Sequence, residues 1–119
     1  MIDAGNRSLA KSDRLLSASD FSRLRTGSKV QKLSHCMVIS QSNHLNHARL
    51  GLAVSKRSGN AVRRNFLKRL CRETFRLWPH RHLSLDIMII PSPQIKALSK
   101  ELAGEHLRAN LNKALSLLS

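Results

Sequence analysis

Residues 51–78 read GLAVSKRSGNAVRRNFLKRLCRETFRLW and carry the strongest structural signals of the chain. Its first residues belong to a segment, 49–55, in which apolar residues alternate with smaller or charged ones, as in a strand with one buried face. Gly59 and Asn60 suit a turn with positive φ followed by a helix N-cap. The spacing then predicts a helix over 61–78, closed by Pro79. The stretch is therefore a strand, a basic turn and a long helix.

The predicted helix has two chemically different halves when it is wound at about 100° per residue. The apolar half holds Val62, Phe66, Leu67, Leu70, Cys71, Thr74, Leu77 and Trp78. The cationic half holds Arg64, Asn65, Lys68, Arg69, Arg72 and Arg76. Arg63 and Glu73 interrupt the apolar half, and Phe75 falls at the cationic edge. We expect the first half to serve the core and the second to meet a partner.

The cationic half favours phosphate binding. Its main row repeats at i,i+4, where like charges repel in the free protein, whereas a solvated helix normally mixes signs. Glu73 is the only acidic residue between positions 49 and 82. Arginine can bind a phosphate through two hydrogen bonds and can also stack on a base. The alternatives are a solvated polar face and a membrane-surface helix; the second is disfavoured because the core needs the opposite half.

The basic turn before the helix adds a local anion site. Lys56 and Arg57 lie beside the first backbone N–H groups of the helix, which attract anions. The predicted RNA-binding residues are Lys56, Arg57, Asn60, Arg64, Asn65, Lys68, Arg69, Arg72 and Arg76. No aromatic cluster accompanies them, so we expect recognition of RNA shape and phosphates more than of base identity.

Weaker patterns on both sides complete the fold. Strands are predicted at about 35–40, 49–55 and 85–90, with a weaker signal at 30–33. The strands at 35–40 and 49–55 are expected to form a hairpin. Helices are predicted at about 17–25, where Ser19 or Asp20 can act as N-cap, and at 98–118, which carries a leucine stripe. The elements describe an α+β sandwich in a single domain, 1–119, with residues 1–13 expected to be flexible.

The chain carries a large excess of positive charge. It has 21 Lys and Arg against 7 Asp and Glu, a net charge of +14. Such a chain repels itself when folded, so a polyanionic partner is expected, with nucleic acid ahead of a membrane surface or a purely solubilising role. The two cysteines form no disulfide framework, and we find no signal-peptide pattern and no apolar run near the ~20 residues of a membrane span. These features predict a cytoplasmic protein with reduced thiols.

No residue pattern indicates a catalytic or metal site. Arg81 lies between His80 and His82, where its charge opposes a bound cation, and Asp86 has no carboxylate partner for two-metal phosphodiester chemistry. Cys71 is expected to pack against the core. A protein-only nuclease is therefore disfavoured, as is a membrane-active protein. A ribosomal or rRNA-assembly protein remains an alternative, because charge alone does not exclude it.

Residues 51–76 resemble the bacterial ribonuclease P protein family. The family pattern is Gly-Leu-x-Val-Ser-Lys, then Gly-Asn-Ala-Val, then Arg-Asn-Arg, then Lys-Arg-x-x-Arg-Glu-x-Phe-Arg. This chain has GLAVSKR at 51–57, GNAV at 59–62, RN at 64–65 and KRLCRETFR at 68–76. Arg14-Leu15 and Asp20-Phe21 resemble the family's opening. The chain departs from the pattern at Phe66, in place of the last Arg of Arg-Asn-Arg; at HCMV, 35–38, where an aromatic-containing strand is usual; and at IPSP, 90–93, which replaces a basic stretch.

The resemblance implies a fold and a role. The fold is a two-layer sandwich in the order α-β-β-β-α-β-α with a left-handed βαβ crossover, as in the second domain of ribosomal protein S5. The role is that of a non-catalytic, monomeric protein in a 1:1 complex with a catalytic RNA, which removes the 5′ leader of precursor tRNA. Mg²⁺ is held by the RNA and not by a protein site. Contacts to the single-stranded leader are expected from Phe21, His35 and Met37, and no membrane is involved.

Overall fold

Four strands and two long helices make up residues 28–118, the part of the chain that this computed structural model describes. The strands are β1 (Lys29–Lys32), β2 (Cys36–Ser42), β3 (Arg49–Leu52) and β4 (Leu85–Pro91). The helices are α1 (Ala61–Leu77) and α2 (Lys100–Ser116), and short 3₁₀ turns lie at Lys56–Ser58 and Pro93–Ala97. The mixed α+β class, the weakly indicated first strand and the central helix are confirmed. The predicted helix at 17–25 and the tail at 1–13 lie outside the described residues.

The four strands form one sheet in the order β1-β2-β4-β3. β2 is antiparallel to both β1 and β4, whereas β3 and β4 are parallel. A parallel pair needs a long crossover connection, and α1 provides it between β3 and β4. β4 is the interior strand with the apolar run, and four of its consecutive residues, 86–89, are buried.

The predicted hairpin of β2 and β3 is wrong. β4 lies between the two strands, with Ile89 opposite Val38 of β2 on one side and Leu52 of β3 on the other. β4 has the longest apolar run, so a central position buries both its faces and satisfies its backbone on both edges. The hairpin partner of β2 is β1, where Lys32 faces Met37 across a short turn.

Both helices pack on one face of the sheet, which gives the two layers. The sheet contributes Val38, Leu50, Ile87 and Ile89 to this core, and the helices contribute Leu67, Cys71, Phe75, Leu107 and Leu111. Each buried side chain of this size stabilises the fold by roughly 1.5–3 kcal/mol relative to exposure. Leu102, placed in the leucine stripe by its spacing, is exposed instead, because Ala103 and Leu107 face the sheet.

A buried ion pair anchors the loop between β2 and β3. Arg49 donates to both carboxylate oxygens of Asp86, each at 2.8 Å. Asn43 donates to the same carboxylate at 2.9 Å and to the carbonyl of His47 at 3.0 Å. The buried charge of Asp86 is thus paired and hydrogen-bonded, as its burial requires. This pairing fixes the loop to the start of β4.

Candidate nucleic-acid interface

The turn before α1 has the conformation that the sequence predicts. Gly59 has φ of 134°, a region that side chains rarely adopt. The Asn60 side chain accepts a hydrogen bond from the backbone N–H of Arg63 at 2.9 Å and so caps the helix. Ser55 likewise caps the 3₁₀ turn that carries the exposed Lys56 and Arg57. These local bonds set where the basic helix begins.

The burial of three side chains of α1 differs from that predicted from the two halves of the helix. The spacing predicts Val62 and Leu77 in the apolar half, but they are 71% and 67% exposed, whereas Phe75, predicted at the cationic edge, is only 1% exposed. The helix places 67, 71 and 75 toward the core, so its buried stripe is rotated toward the basic residues. Val62 and Leu77 lie in the first and last turns of the helix, outside that stripe.

Rotation of the helix leaves its main cations half-buried along one side. We call this set, Arg64, Lys68, Arg72 and Arg76, the basic row. Long basic side chains commonly pack their carbon stems on the protein and keep the charge outside. Asn65 and Arg69 are exposed beside the row. All six predicted residues of α1 are thus brought to one continuous part of the helix surface.

The basic row has no acidic partner in the described part of the chain. The one ion pair between side chains of residues 28–118 is that of Arg49 with Asp86. Glu73 forms no ion pair with the row within these residues and lines a cavity together with Arg108 and His80. The Nε of Arg76 is buried and has no hydrogen-bond partner. Charge without internal compensation is what a phosphate-binding surface needs.

Arg63, which interrupts the apolar half in the sequence, forms hydrogen bonds within the fold. Its guanidinium donates to the carbonyls of Ile95 at 3.2 Å and Leu98 at 2.9 Å. These carbonyls belong to the segment that leads from β4 into α2. Arg63 therefore fastens the start of α1 to that segment, and no local sequence signal identifies partners more than 30 positions away.

Phe66 packs between the two helices. A Cβ added to Gly104 of α2 would lie 2.9 Å from the Cζ atom of Phe66, so glycine is what lets the ring fit there. The Nζ atom of Lys100 lies 4.9 Å from the ring centroid, a cation–π distance. The position that departs from the Arg-Asn-Arg pattern thus belongs to the helix–helix contact.

The predicted leader-binding residues are not brought together within the described residues. The His35 ring stacks on His106 of α2, with centroids 4.3 Å apart, and its backbone N–H donates to Asn110 at 2.8 Å. Burial lowers the pKa of His35, and the charge of His106 lowers it further. Met37 lies on β2, and strand alternation points it away from the face of Val38. Phe21 lies outside the described residues.

The cysteines are unsuited to nucleophilic chemistry. Burial raises the pKa of Cys36 to about 12, and burial also raises the pKa of Cys71 strongly. Both thiols are free and buried. Among residues 28–118, no group of three His, Cys, Asp or Glu side chains could hold a metal ion. No helix in the same range is long and apolar enough to cross a membrane.

Fold and surface together define a small basic α+β protein in which a cationic row, unpaired with any acidic side chain of residues 28–118, lies beside a parallel βαβ unit. The chain belongs to the ribonuclease P protein family, because the family model described as Ribonuclease P matches residues 9–115. This confirms the resemblance that residues 51–76 carry.

Individual relatives agree with the family. The "Ribonuclease P protein component" of Buchnera aphidicola is 37% identical over 92 residues, covering 76% of this chain and 81% of its own. The ribonuclease P protein of Thermotoga maritima has a similar structure, with a TM-score of 0.65, 30% identity and coverage of 82% and 93%. A Staphylococcus aureus ribonuclease P protein, described as a mutant with defective mRNA degradation activity, gives a TM-score of 0.76 at 31% identity, over 95% and 98%.

Proposed function

We propose that this protein is the RNA-binding subunit of a ribonuclease P and acts in 5′ maturation of tRNA. The observation that carries the proposal is the basic row, which faces outward without an acidic partner in the described residues. Its guanidinium groups suit phosphates of a folded RNA, since the planar fork binds two oxygens at once. The partner of the row is the catalytic RNA.

The turn at the start of α1 extends the same surface. Lys56 and Arg57 are exposed, and the first backbone N–H groups of α1 lie beside them. Asn60 uses its side-chain oxygen as the cap, so its contribution to RNA binding is to hold these N–H groups in place. Anions are favoured at such a helix end.

Contacts to the precursor tRNA form the second part of the proposal. The 5′ leader is single-stranded, and such strands are bound through stacking and phosphate contacts. Phe21, His35 and Met37 are the proposed leader residues, with His35 already in a stacked pair. Mg²⁺ is held by the RNA and its substrate, and the protein assists cleavage without taking part in the chemistry.

The finer architecture is part of the same proposal. The crossover from β3 through α1 to β4 is left-handed, as in the second domain of ribosomal protein S5, although about 98% of such connections are right-handed. The protein is a monomer that binds one RNA molecule in the cytoplasm.

The test is cleavage of precursor tRNA by the RNA subunit at low Mg²⁺, with and without the full-length protein. We expect the protein to restore cleavage and the Arg64→Ala/Lys68→Ala variant to restore it poorly. Val62→Ala is the matched control, because it changes an exposed, uncharged position of the same helix. Equal activity with and without wild-type protein would contradict the proposal.

A second candidate function is degradation of mRNA, which the description of the Staphylococcus aureus mutant associates with that protein. It is tested by incubating an mRNA with this protein alone and with the RNA subunit. An mRNA that stays intact in both incubations would contradict this second function. Cleavage by protein alone that survives removal of contaminating nucleases supports the second.

A further inference from the structure

Two loops at the end of the sheet opposite the 3₁₀ turns carry a concentration of histidine. One loop, 43–48, joins β2 to β3, and the other, 79–84, joins α1 to β4. We call their five basic or titratable residues the histidine end: His44, His47, His80, Arg81 and His82. Neither loop contains an acidic residue.

The two loops are joined into one surface by hydrogen bonds. The N–H of Ala48 donates to the carbonyl of Arg81 at 2.8 Å, and the N–H of Asn43 donates to that of Ser84 at 3.1 Å. The Ser84 hydroxyl also donates to the carbonyl of Leu45. The buried ion pair of Arg49 and Asp86 lies next to both loops and fixes the backbone that carries the histidines. A surface that is already ordered loses little entropy when it binds.

The rings on the second loop form a short series. The Trp78 and His80 rings meet edge-on with centroids 5.9 Å apart, and those of His80 and His82 are 5.8 Å apart. His44, Arg81 and His82 are exposed, while His47 and His80 are half-buried. His44 has φ of 59°, the left-handed region. Most of these side chains can therefore meet a partner without moving the backbone.

The charges around the histidine end are mainly positive within the described residues. Glu73 of α1 and Arg108 of α2 share with His80 a cavity of about 360 Å³. Asp86 of β4, next to the first loop, is bound by Arg49 of β3. Arg76, the last cation of the basic row, lies four positions before His80. Protonated histidines would thus extend the positive surface of α1 past its end.

We infer that the histidine end is a second RNA-binding surface, which takes phosphates of an RNA bound along the basic row and strengthens as its histidines gain protons. Histidine changes its charge between about pH 5 and 8, and the protonated ring offers two N–H donors. Fixed arginines bind phosphates at any pH in this range, so pH sensitivity distinguishes the two surfaces. The inference rests on the proposed RNA-binding function.

The experiment measures affinity of the full-length protein for the RNA subunit at pH 5.8 and pH 7.8, at one salt and Mg²⁺ concentration. The variant is the triple change His44→Asn, His80→Asn and His82→Asn. We expect wild-type affinity to rise about three- to tenfold on acidification, as for a few exposed ion pairs. The triple variant should lose most of this rise.

Two matched proteins separate the possible failures. Val62→Ala replaces an exposed, uncharged side chain of α1 and should keep the wild-type ratio. Arg64→Ala/Lys68→Ala should bind more weakly at both pH values with the same ratio. If the triple variant keeps the wild-type ratio, the inference fails, even where the Arg64/Lys68 variant binds weakly. If the Arg64/Lys68 variant binds normally, it is the proposed function that fails.

A measurement on the wild-type protein covers the case in which the triple variant does not fold. Addition of the RNA subunit at pH 6.5 should shift the ring resonances of His80 and His82 in a histidine-labelled sample. Unchanged resonances at saturating RNA would overturn the inference.

Discussion

At the scale of single residues, Phe66 and Gly104 show how a departure from the family pattern is accommodated. An Arg-Asn-Arg element would place its second arginine at position 66, but the ring here packs where Gly104 leaves space. The loss of one cation is therefore coupled to the packing of α1 on α2. The basic row is unaffected, because it lies on the side of the helix away from Phe66.

We predict that Gly104→Ala and Phe66→Ala are energetically coupled. Alanine favours a helix over glycine by about 1 kcal/mol. In the wild-type background the contact of the new Cβ with the Phe66 ring, at 2.9 Å, should cancel this gain. In the Phe66→Ala background the gain should appear, giving a coupling energy of about 1 kcal/mol in urea unfolding. Additive effects of the two changes would show that the ring does not constrain Gly104.

His35 makes the stability depend on pH in a defined direction. Its pKa is lowered from 6.5, first by burial and then by His106. The unfolded chain therefore takes up this proton at higher pH than the folded protein. His35 therefore does not reduce the free energy of unfolding above about pH 6.5. The free energy of unfolding falls as the pH drops from there toward the pKa of His35 in the folded protein.

We predict that His106→Asn raises the pKa of His35 and reduces the part of the acid destabilisation that His35 causes. Histidine NMR titration measures the first effect, and urea unfolding at pH 7.5 and 5.5 measures the second. His80→Asn is the control, because its ring does not contact His35. A His35 titration unchanged by loss of His106 would remove that residue as a cause.

At the scale of elements, the ends of α1 could be predicted because they depend on residues adjacent in sequence. The cap at Asn60 and the proline at 79 set the ends of α1 within one residue, because both act on neighbouring backbone. The neighbours of β4 could not be read from the chain, because they depend on which strand buries most apolar surface when all are present. The rotation of α1 has the same cause, since packing on the sheet and on α2 together places Phe75 inside and Val62 outside.

We predict opposite effects on stability and RNA binding from the two sides of α1. Leu70 is 5% exposed, so Leu70→Ala should cost roughly 2–5 kcal/mol of unfolding free energy with little change in the RNA affinity of the folded protein. Val62→Ala, at an exposed apolar site of the same helix, should cost far less. Arg64→Ala/Lys68→Ala should change stability by less than about 1 kcal/mol, because relief of i,i+4 repulsion offsets lost stem packing. Early unfolding of the double variant with normal RNA binding would mean that the sides are assigned the wrong way round.

At the scale of the whole molecule, the fold separates a core-bearing side from a cationic side. The sheet and α2 supply most of the packing, which leaves the far side of α1 free to carry charge that destabilises the isolated protein. A net charge of +14 in 119 residues favours RNA binding, because the neutralised phosphates release their condensed counterions. Neither the strand order nor the pairing of His35 with His106 follows from composition or spacing. Composition gives the sign of the main charged surface, and helical spacing gives its placement on α1.

The dependence of RNA affinity on salt concentration measures this electrostatic contribution. If about six phosphates are neutralised, the logarithm of the RNA affinity should fall with the logarithm of salt concentration with a slope near −4 to −5. Removing Arg64 and Lys68 should make the slope less steep by about 1.5, since each lost phosphate contact removes about 0.7–0.9. Val62→Ala should keep the full slope. Binding measured between about 50 and 200 mM salt at constant Mg²⁺ gives all three values. A wild-type slope near zero, or an unchanged slope in the double variant, would show that the basic row does not bind phosphates.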